Sequence, residues 1–284
     1  MGYMIFNGEI TERKNVHIDI EDRGFQFGDG VYEVIRIYNG KPFALKPHLD
    51  RLYESARRIY MEIPYSKEEL EDLLLRFIHL ENLSLCNLYV QFSRGIFPRN
   101  HVIPNEGDGT FLAYALNNGS RPLETMEKGG KAVLVEDERW LNCDIKSTSL
   151  LGNVLARHKA TLSGAFEAIL HRGTIVTEAS AANVWIVKSG VLYTHPQGKL
   201  ILNGITRQVL LDICREQNIT ALEEPFTTDD LLQAEEVFLS STTLEIAPVV
   251  QVDNRKIGDG SPGQLTKKLQ KLYLDRIIME CGSI

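Results

Sequence analysis

The sequence predicts an α+β fold in two domains, on three observations. Strand-like and helix-like segments come in mixed order rather than in the strict alternation of a doubly wound parallel sheet. Several strand pairs are joined by short Gly-containing turns, the mark of antiparallel hairpins. A cluster of breakers, Asn117-Asn118-Gly119-Ser120-Arg121-Pro122, divides the 284 residues into parts 1–120 and 121–284.

In the first part, the strand-like run 31–38 meets Asn39-Gly40 and resumes over 41–45. Asn-Gly tolerates the positive φ of a type I′ turn, so this reads as a hairpin. From 47 to 61, Leu49, Leu52, Tyr53, Ala56, Ile59 and Tyr60 recur at helical spacing. Ser66, with Glu69 three residues on, is a capping-box signature and opens a second helix. Strands at 85–94 and 111–116 complete this part. The second opens with a strand at 132–136 and a helix at 150–163. Strands at 167–171, 174–177, 183–188 and 191–194 follow, with turns at Arg172-Gly173 and Ser189-Gly190. A helix at 206–217, strands at 236–240 and 249–252, and a helix at 263–278 end it.

Apolar side chains make up 43% and charged ones 24%, which excludes intrinsic disorder and fibrous repeats. With 31 basic against 38 acidic residues the net charge is −7, a poor match to nucleic acid or an anionic membrane. No run approaches 18 apolar residues, and residues 1–9 lack the basic and apolar regions of a secretory leader. Cys86, Cys143, Cys214 and Cys281 are scattered with no CxxC pair, and the seven histidines offer no i, i+4 pair. The expectation is a cytoplasmic protein with reduced thiols, no metal, and small ligands.

The familiar catalytic and nucleotide motifs are absent. Gly129-Gly130-Lys131 lacks the spacing and the Ser/Thr of a P-loop, and there is no HExxH or GxSxG. Gly24-Phe25-Gln26-Phe27-Gly28-Asp29-Gly30 precedes a strand and is either a tight turn or a ligand loop. Lys146, in Asp144-Ile145-Lys146-Ser147, is either a solvated lysine or a partly buried Schiff-base nucleophile. Glu178 ends a strand before a run of small residues. It either caps a turn or faces a flat heterocycle that those residues let approach.

Six ordered motifs then carry a resemblance that runs nearly end to end. They are Glu21-Asp22-Arg23-Gly24-Phe25-Gln26-Phe27-Gly28-Asp29-Gly30-Val31-Tyr32-Glu33-Val34; His48-Leu49-Asp50-Arg51-Leu52; Asp144-Ile145-Lys146-Ser147; Thr177-Glu178 to Asn183-Val184; Gly204-Ile205-Thr206-Arg207; and Ser241-Thr242-Thr243. Together they resemble the fold type IV pyridoxal-phosphate enzymes, and among them the D-amino acid aminotransferases. The resemblance implies a smaller N-terminal α/β domain and a larger C-terminal domain with a pseudo-barrel. It also implies a cofactor between the domains, and a homodimer.

The resemblance implies site residues as well. Lys146 would bind the cofactor covalently and, once displaced, act as general base. Glu178 would hold the pyridine nitrogen, and Leu202, otherwise a core leucine, would pack on the ring. Arg51, otherwise a surface helix residue beside Asp50, would take the phosphate with Ile205, Thr206, Ser241 and Thr242. Tyr32 would bind the substrate carboxylate with Arg99 and His101 from the partner subunit. That Arg-x-His step points away from branched-chain L-amino acid aminotransferases, which with aminodeoxychorismate lyases are the alternatives on the same fold. One departure stands out. Ala179-Ser180-Ala181-Ala182-Asn183 is poorer in hydroxyls than the serine-rich version in this group, which removes hydrogen bonds that Ala181 and Ala182 cannot make. The expected reaction is ping-pong transfer from a D-amino acid, D-alanine, to a 2-oxo acid, 2-oxoglutarate.

Overall fold

A computed structural model describes residues 2–104, 107–116 and 120–283. Of the breaker cluster, residues 117–119 lie outside the described residues. By internal contacts the chain divides into two units. Unit 1 is Met1–Ser120 with Ile145–Leu150 and Ile277–Ile284, and unit 2 is Arg121–Asp144 with Leu151–Arg276. A single cut at 120 leaves 145–150 and 277–284 with the second part. In the structure both count with the first, because their hydrogen bonds run there.

Unit 1 is built on a six-stranded sheet of β1 (Tyr3–Phe6), β2 (Glu9–Glu12), β3 (Gly30–Tyr38), β4 (Lys41–Pro42), β5 (Cys86–Ser93) and β6 (Thr110–Leu116), in the order β2-β1-β6-β5-β3-β4. Every pairing is antiparallel. Asn39 and Gly40 both take positive φ, 48° and 76°, in the β3–β4 hairpin. Asn7 and Gly8 repeat the device at 47° and 87° between β1 and β2, a hairpin the sequence reading does not include. Helix α1 (Arg23–Phe27) precedes β3, while α2 (Leu45–Arg58) and α3 (Lys67–Leu80) follow β4. Ser66 accepts from Glu69 N and Glu69 reaches back to Ser66 N, the reciprocal cap expected at α3.

Alternate residues of β3, Val31, Ile35 and Ile37, join Leu45, Leu49, Leu52 and Ala56 of α2 and Leu70, Leu74 and Phe77 of α3 in one core. Glu33 falls on the same face and is fully buried, so it must find cationic partners there. The last turn of the C-terminal helix belongs with this unit. Glu280 accepts from Ala44 N, at the start of α2, and Cys281 O accepts from Asn39 Nδ2.

Unit 2 carries a nine-stranded mixed sheet: β7 (Gly130–Glu136), β8 (Glu167–Arg172), β9 (Ile175–Ala179), β10 (Asn183–Lys188), β11 (Val191–Thr194), β12 (Ala221–Glu223), β13 (Glu236–Ser241), β14 (Glu245–Val252) and β15 (Arg255–Lys256). Its order is β12-β11-β10-β13-β14-β7-β8-β9, with β15 on β14. The helices are α4 (Leu123–Lys128), α5 (Leu151–Leu162), α6 (Ile205–Glu216), α7 (Thr228–Leu232) and α8 (Gln264–Cys281). Three pairs are parallel, β7–β8, β11–β12 and β14–β7, and α5 and α6 supply the crossovers of the first two. Ala156 and Ala160 let α5 lie close against Val135, Ala168 and Leu170. The main core runs through Val176, Val184, Ile186, Val237, Leu239 and Val249. Among the described residues no helix is long and apolar enough to cross a membrane.

Candidate active site

Helix α2 has two stripes. Leu45, Leu49, Leu52 and Ala56 enter the core, while His48, Arg51 and Ser55 form a polar row beside them. His48 Nδ1 lies 2.7 Å from Glu33 Oε2, and Arg51 donates from Nε to Oε1 at 2.6 Å and from Nη2 to Oε2 at 2.8 Å. Burial alone would raise the Glu33 carboxyl. The Arg51 charge, with His48, outweighs it and holds the group far below the usual carboxylate range. Burial lowers His48, with Glu33 opposing.

Ser55, the third polar residue, accepts from Lys146 N at 3.1 Å. The Lys146 segment is seated on the glycine-rich turn and the start of β3. Tyr32 N donates to Lys146 O at 3.0 Å, Thr148 N to Gly30 O at 2.9 Å, and Thr148 Oγ1 and Ser149 Oγ to Gly28 O. The approach is too close for side chains. A Cβ on Gly28, whose φ is +66°, would stand 2.6 Å from Ser149 Oγ, and one on Gly30 would stand 3.2 Å from Thr148 Oγ1 as well as 2.7 Å from Phe92 O of β5. The glycine turn is therefore the dock for the lysine segment. Lys146 Nζ, half-buried, ends 4.3 Å from the centre of the Tyr32 ring, which itself stacks on Tyr89.

Arg99 and His101 are exposed and are gathered at another ring, Phe27. The Arg99 guanidinium lies 4.5 Å from its centroid and the His101 ring 5.5 Å away. Among the described residues no hydrogen bond joins either to Tyr32 or Lys146.

In unit 2, Glu178 of β9 is buried with a full set of partners. Arg139 Nη1 donates to Oε1 at 2.5 Å, and Leu202 N and Asn183 Nδ2 donate to Oε2 at 3.0 and 3.2 Å. Arg139 is held in turn by Asp137, at 2.8 Å from Nε and 2.9 Å from Nη2, and Asp137 also accepts from Thr177 and Arg172. Burial lifts the Glu178 carboxyl above its ordinary value, with Arg139 and the Leu202 N–H pulling the other way. Asp137 also feels burial, but Arg139 wins and lowers it. Sequence patterning does not single out Asp137, Arg139, Glu33 or His48. The one available signal is the helical spacing of His48, Arg51 and Ser55.

Helix α6 begins at Gly204, and no side chain caps its first N–H groups. A Cβ on Gly204 would stand 2.1 Å from Asn183 Oδ1, so only glycine lets the helix start there. Ile205 and Thr206 are buried in the first turn. The sequence between β13 and β14 brings Ser241, whose Oγ accepts from Leu244 N at 3.2 Å, and the half-buried Thr242. Leu202 is half-buried, and Asn183 holds its carbonyl at 2.8 Å.

The amino-transferase class IV family matches residues 30–252, so the chain belongs to that family. A D-alanine aminotransferase of Listeria monocytogenes serotype 1/2a (strain 10403S) is 49% identical over 284 residues, 99% of this chain and 98% of that protein. One from Bacillus licheniformis is 44% identical over 98% of each. Among solved structures, the branched-chain amino acid aminotransferase of T.th. with pyridoxamine 5′-phosphate superposes with a TM-score of 0.92 at 26% identity, over 99% of this chain and 95% of that one. The protein is a pyridoxal-phosphate-dependent aminotransferase of fold type IV. Its residues fit that cofactor. Lys146 offers a half-buried amine, Glu178 a buried carboxyl with raised proton affinity, and α6 an uncapped N-terminus of the kind that binds phosphate.

Proposed function

We propose that the chain acts as a cytoplasmic, homodimeric D-amino acid aminotransferase, moving the amino group of D-alanine to 2-oxoglutarate and giving pyruvate and D-glutamate. The observation that carries this reading is Lys146. Its amine is held over Tyr32 by a docked segment, in a chain 49% identical end to end to a D-alanine aminotransferase. Bound pyridoxal phosphate supplies an electron sink for the carbanion charge that develops at Cα. The rest of the chemistry belongs to side chains.

Lys146 would hold the cofactor through its Nζ and, once free, would serve as the general base that moves the proton at the substrate Cα. One nitrogen does both jobs, so its position has to be fixed. The seat on Gly28 and Gly30 and the bond to Ser55 fix the backbone from which it swings. Glu178 would hold the pyridine nitrogen, its carboxyl fixed in place by Arg139, Leu202 N and Asn183. Arg51, the first N–H groups of α6 at Ile205 and Thr206, and the hydroxyls of Thr206, Ser241 and Thr242 would hold the phosphate, while Leu202 would pack on the ring. Glu33 fixes the fork of Arg51 by two parallel bonds. Tyr32, with Arg99 and His101 from the partner subunit, binds the substrate carboxylate. These few cations give a site for anions in a chain of net charge −7.

The test is Lys146→Ala. It should remove the yellow absorbance of the holoenzyme and nearly all turnover, and borohydride reduction of the wild type should leave the cofactor on the peptide containing Lys146. An unchanged rate, or an adduct mapped to another lysine, contradicts the reading.

A further inference from the structure

Residues 94–97 are fixed to the start of the glycine turn by backbone. Arg23 N donates to Gly95 O at 2.9 Å, Phe97 N to Glu21 O at 3.3 Å, and Arg94 N to Asp29 O at 3.0 Å. Beyond Phe97 this pairing stops. Among the described residues, the one tertiary hydrogen bond that reaches 98–104 comes from a side chain: Arg23 Nη1 donates to Asn100 O at 2.5 Å. Asn100 stands between Arg99 and His101.

Arg23 is itself immobilised. It is 4% exposed, its Nε donates to Asp29 Oδ2 at 2.8 Å, and its guanidinium lies 4.9 Å from the centroid of Phe27. Asp29 also takes Arg94 in a two-point contact at 2.8 and 2.9 Å, so one carboxylate pairs with two buried cations. Phe27 is then the surface on which Arg99 and His101 rest. Among the described residues no carboxylate pairs with Arg99. Its fork is held by an aromatic face, which fixes the cation without occupying its donors.

We infer that Arg23 is a positioning residue for substrate recognition: tied to Asp29, it holds the Asn100 carbonyl and the Phe27 ring so that Arg99 and His101 stay preset as a carboxylate clamp. The inference rests on the proposed role of Arg99 and His101. It goes further in naming the residue that sets their geometry without touching substrate or cofactor. An unset clamp weakens ground-state binding of the carboxylate and leaves the chemical step alone, so its signature lies in KM.

The experiment is a double-mutant cycle on the holoenzyme with Arg23→Gln, Arg99→Gln and the pair, reading kcat and KM for D-alanine. Arg23→Gln should raise KM about tenfold with kcat within about twofold, the size expected when a bond to a charged group is lost. Arg99→Gln should raise KM further, and the double variant should match Arg99→Gln alone, because a clamp with no fork gains nothing from being preset. Cofactor absorbance and cofactor Kd should be unchanged in Arg23→Gln. Should that variant fold poorly, Arg23→Lys decides. It keeps the charge for Asp29, but a single ammonium does not span Asp29 and Asn100, and the same rise in KM is expected. Wild-type KM in both Arg23 variants, or multiplicative effects in the cycle, overturns the inference while leaving Arg99 in its role. Wild-type KM in Arg99→Gln overturns the clamp itself, and the inference with it.

Discussion

Replacing Glu33 with Gln probes the joint between β3 and α2. The carboxylate is fully buried and accepts from both Arg51 donors and from His48 at 2.6–2.8 Å. An amide of the same shape offers one acceptor where two are needed and turns its NH2 toward a cation, so the Arg51 charge, only 11% exposed, loses this carboxylate. Breaking a buried pair from one side costs about 3–5 kcal/mol. Near the melting temperature, unfolding entropy is about 2.1 cal/mol/K per residue, or roughly 600 cal/mol/K for this chain. The loss is therefore a fall of about 5–8 °C in Tm if both units melt together, and about twice that if unit 1, near 130 residues, melts alone.

The pH dependence carries a sign. Glu33 is lowered from 4.5, so the unfolded chain binds its proton first, and the stability it contributes is complete above about 4.5 and fades as pH falls below. Thermal melts of wild type and Glu33→Gln at pH 7 and pH 4 should show a wide gap that narrows in acid. The cofactor Kd should rise as well, since Arg51 loses its fixed fork. A Tm difference under 1 °C at pH 7, or a gap that widens toward pH 4, refutes the reasoning.

The remaining predictions concern other parts of the machinery. Arg139→Met leaves the buried Glu178 carboxylate without its cation and Asp137 with only Arg172 and Thr177, so stability should drop by about 3–5 kcal/mol in urea melts. The Glu178 carboxyl, having lost the cation that opposes burial, should rise further, so cofactor retention on dialysis should weaken as pH falls. Gly28→Ala places a methyl 2.6 Å from Ser149 Oγ at a φ of +66°. It should lower kcat by displacing the Lys146 segment and cost about 1–2 kcal/mol in the same melts. Ser66→Ala removes only the α3 cap, and calorimetry should report a loss of about 1 kcal/mol with kcat and KM at wild-type values.

What sequence patterning reveals is local chemistry. Asn39-Gly40 and the Ser66–Glu69 box each act within a few residues, and both appear as read. Helices α1, α4 and α7, of five or six residues, are too short for a 3.6-residue period to register, and β12 and β15 are edge pieces of three and two. The β1–β2 hairpin did have a local signal in Asn7-Gly8. The same division holds for chemistry. The chemistry of Lys146, Glu178 and Arg51 can be read from their motifs, whereas the contacts that fix them are set by packing: Glu33 for Arg51, Asp137 and Arg139 for Glu178, Gly28 and Gly30 for Lys146. Such partners depend on strand–helix packing and on a loop counting with a unit distant in sequence. Composition and periodicity carry neither.

The central claim, that this chain takes amino groups from D-amino acids, is tested most directly by its choice of hand. Purified holoenzyme is given D-alanine or L-alanine with 2-oxoglutarate, and both pyruvate and the configuration of the glutamate formed are measured. The account predicts rapid pyruvate formation from D-alanine, D-glutamate as co-product, and a rate with L-alanine lower by at least about a hundredfold. A preference for L-alanine, or L-glutamate as product, contradicts it.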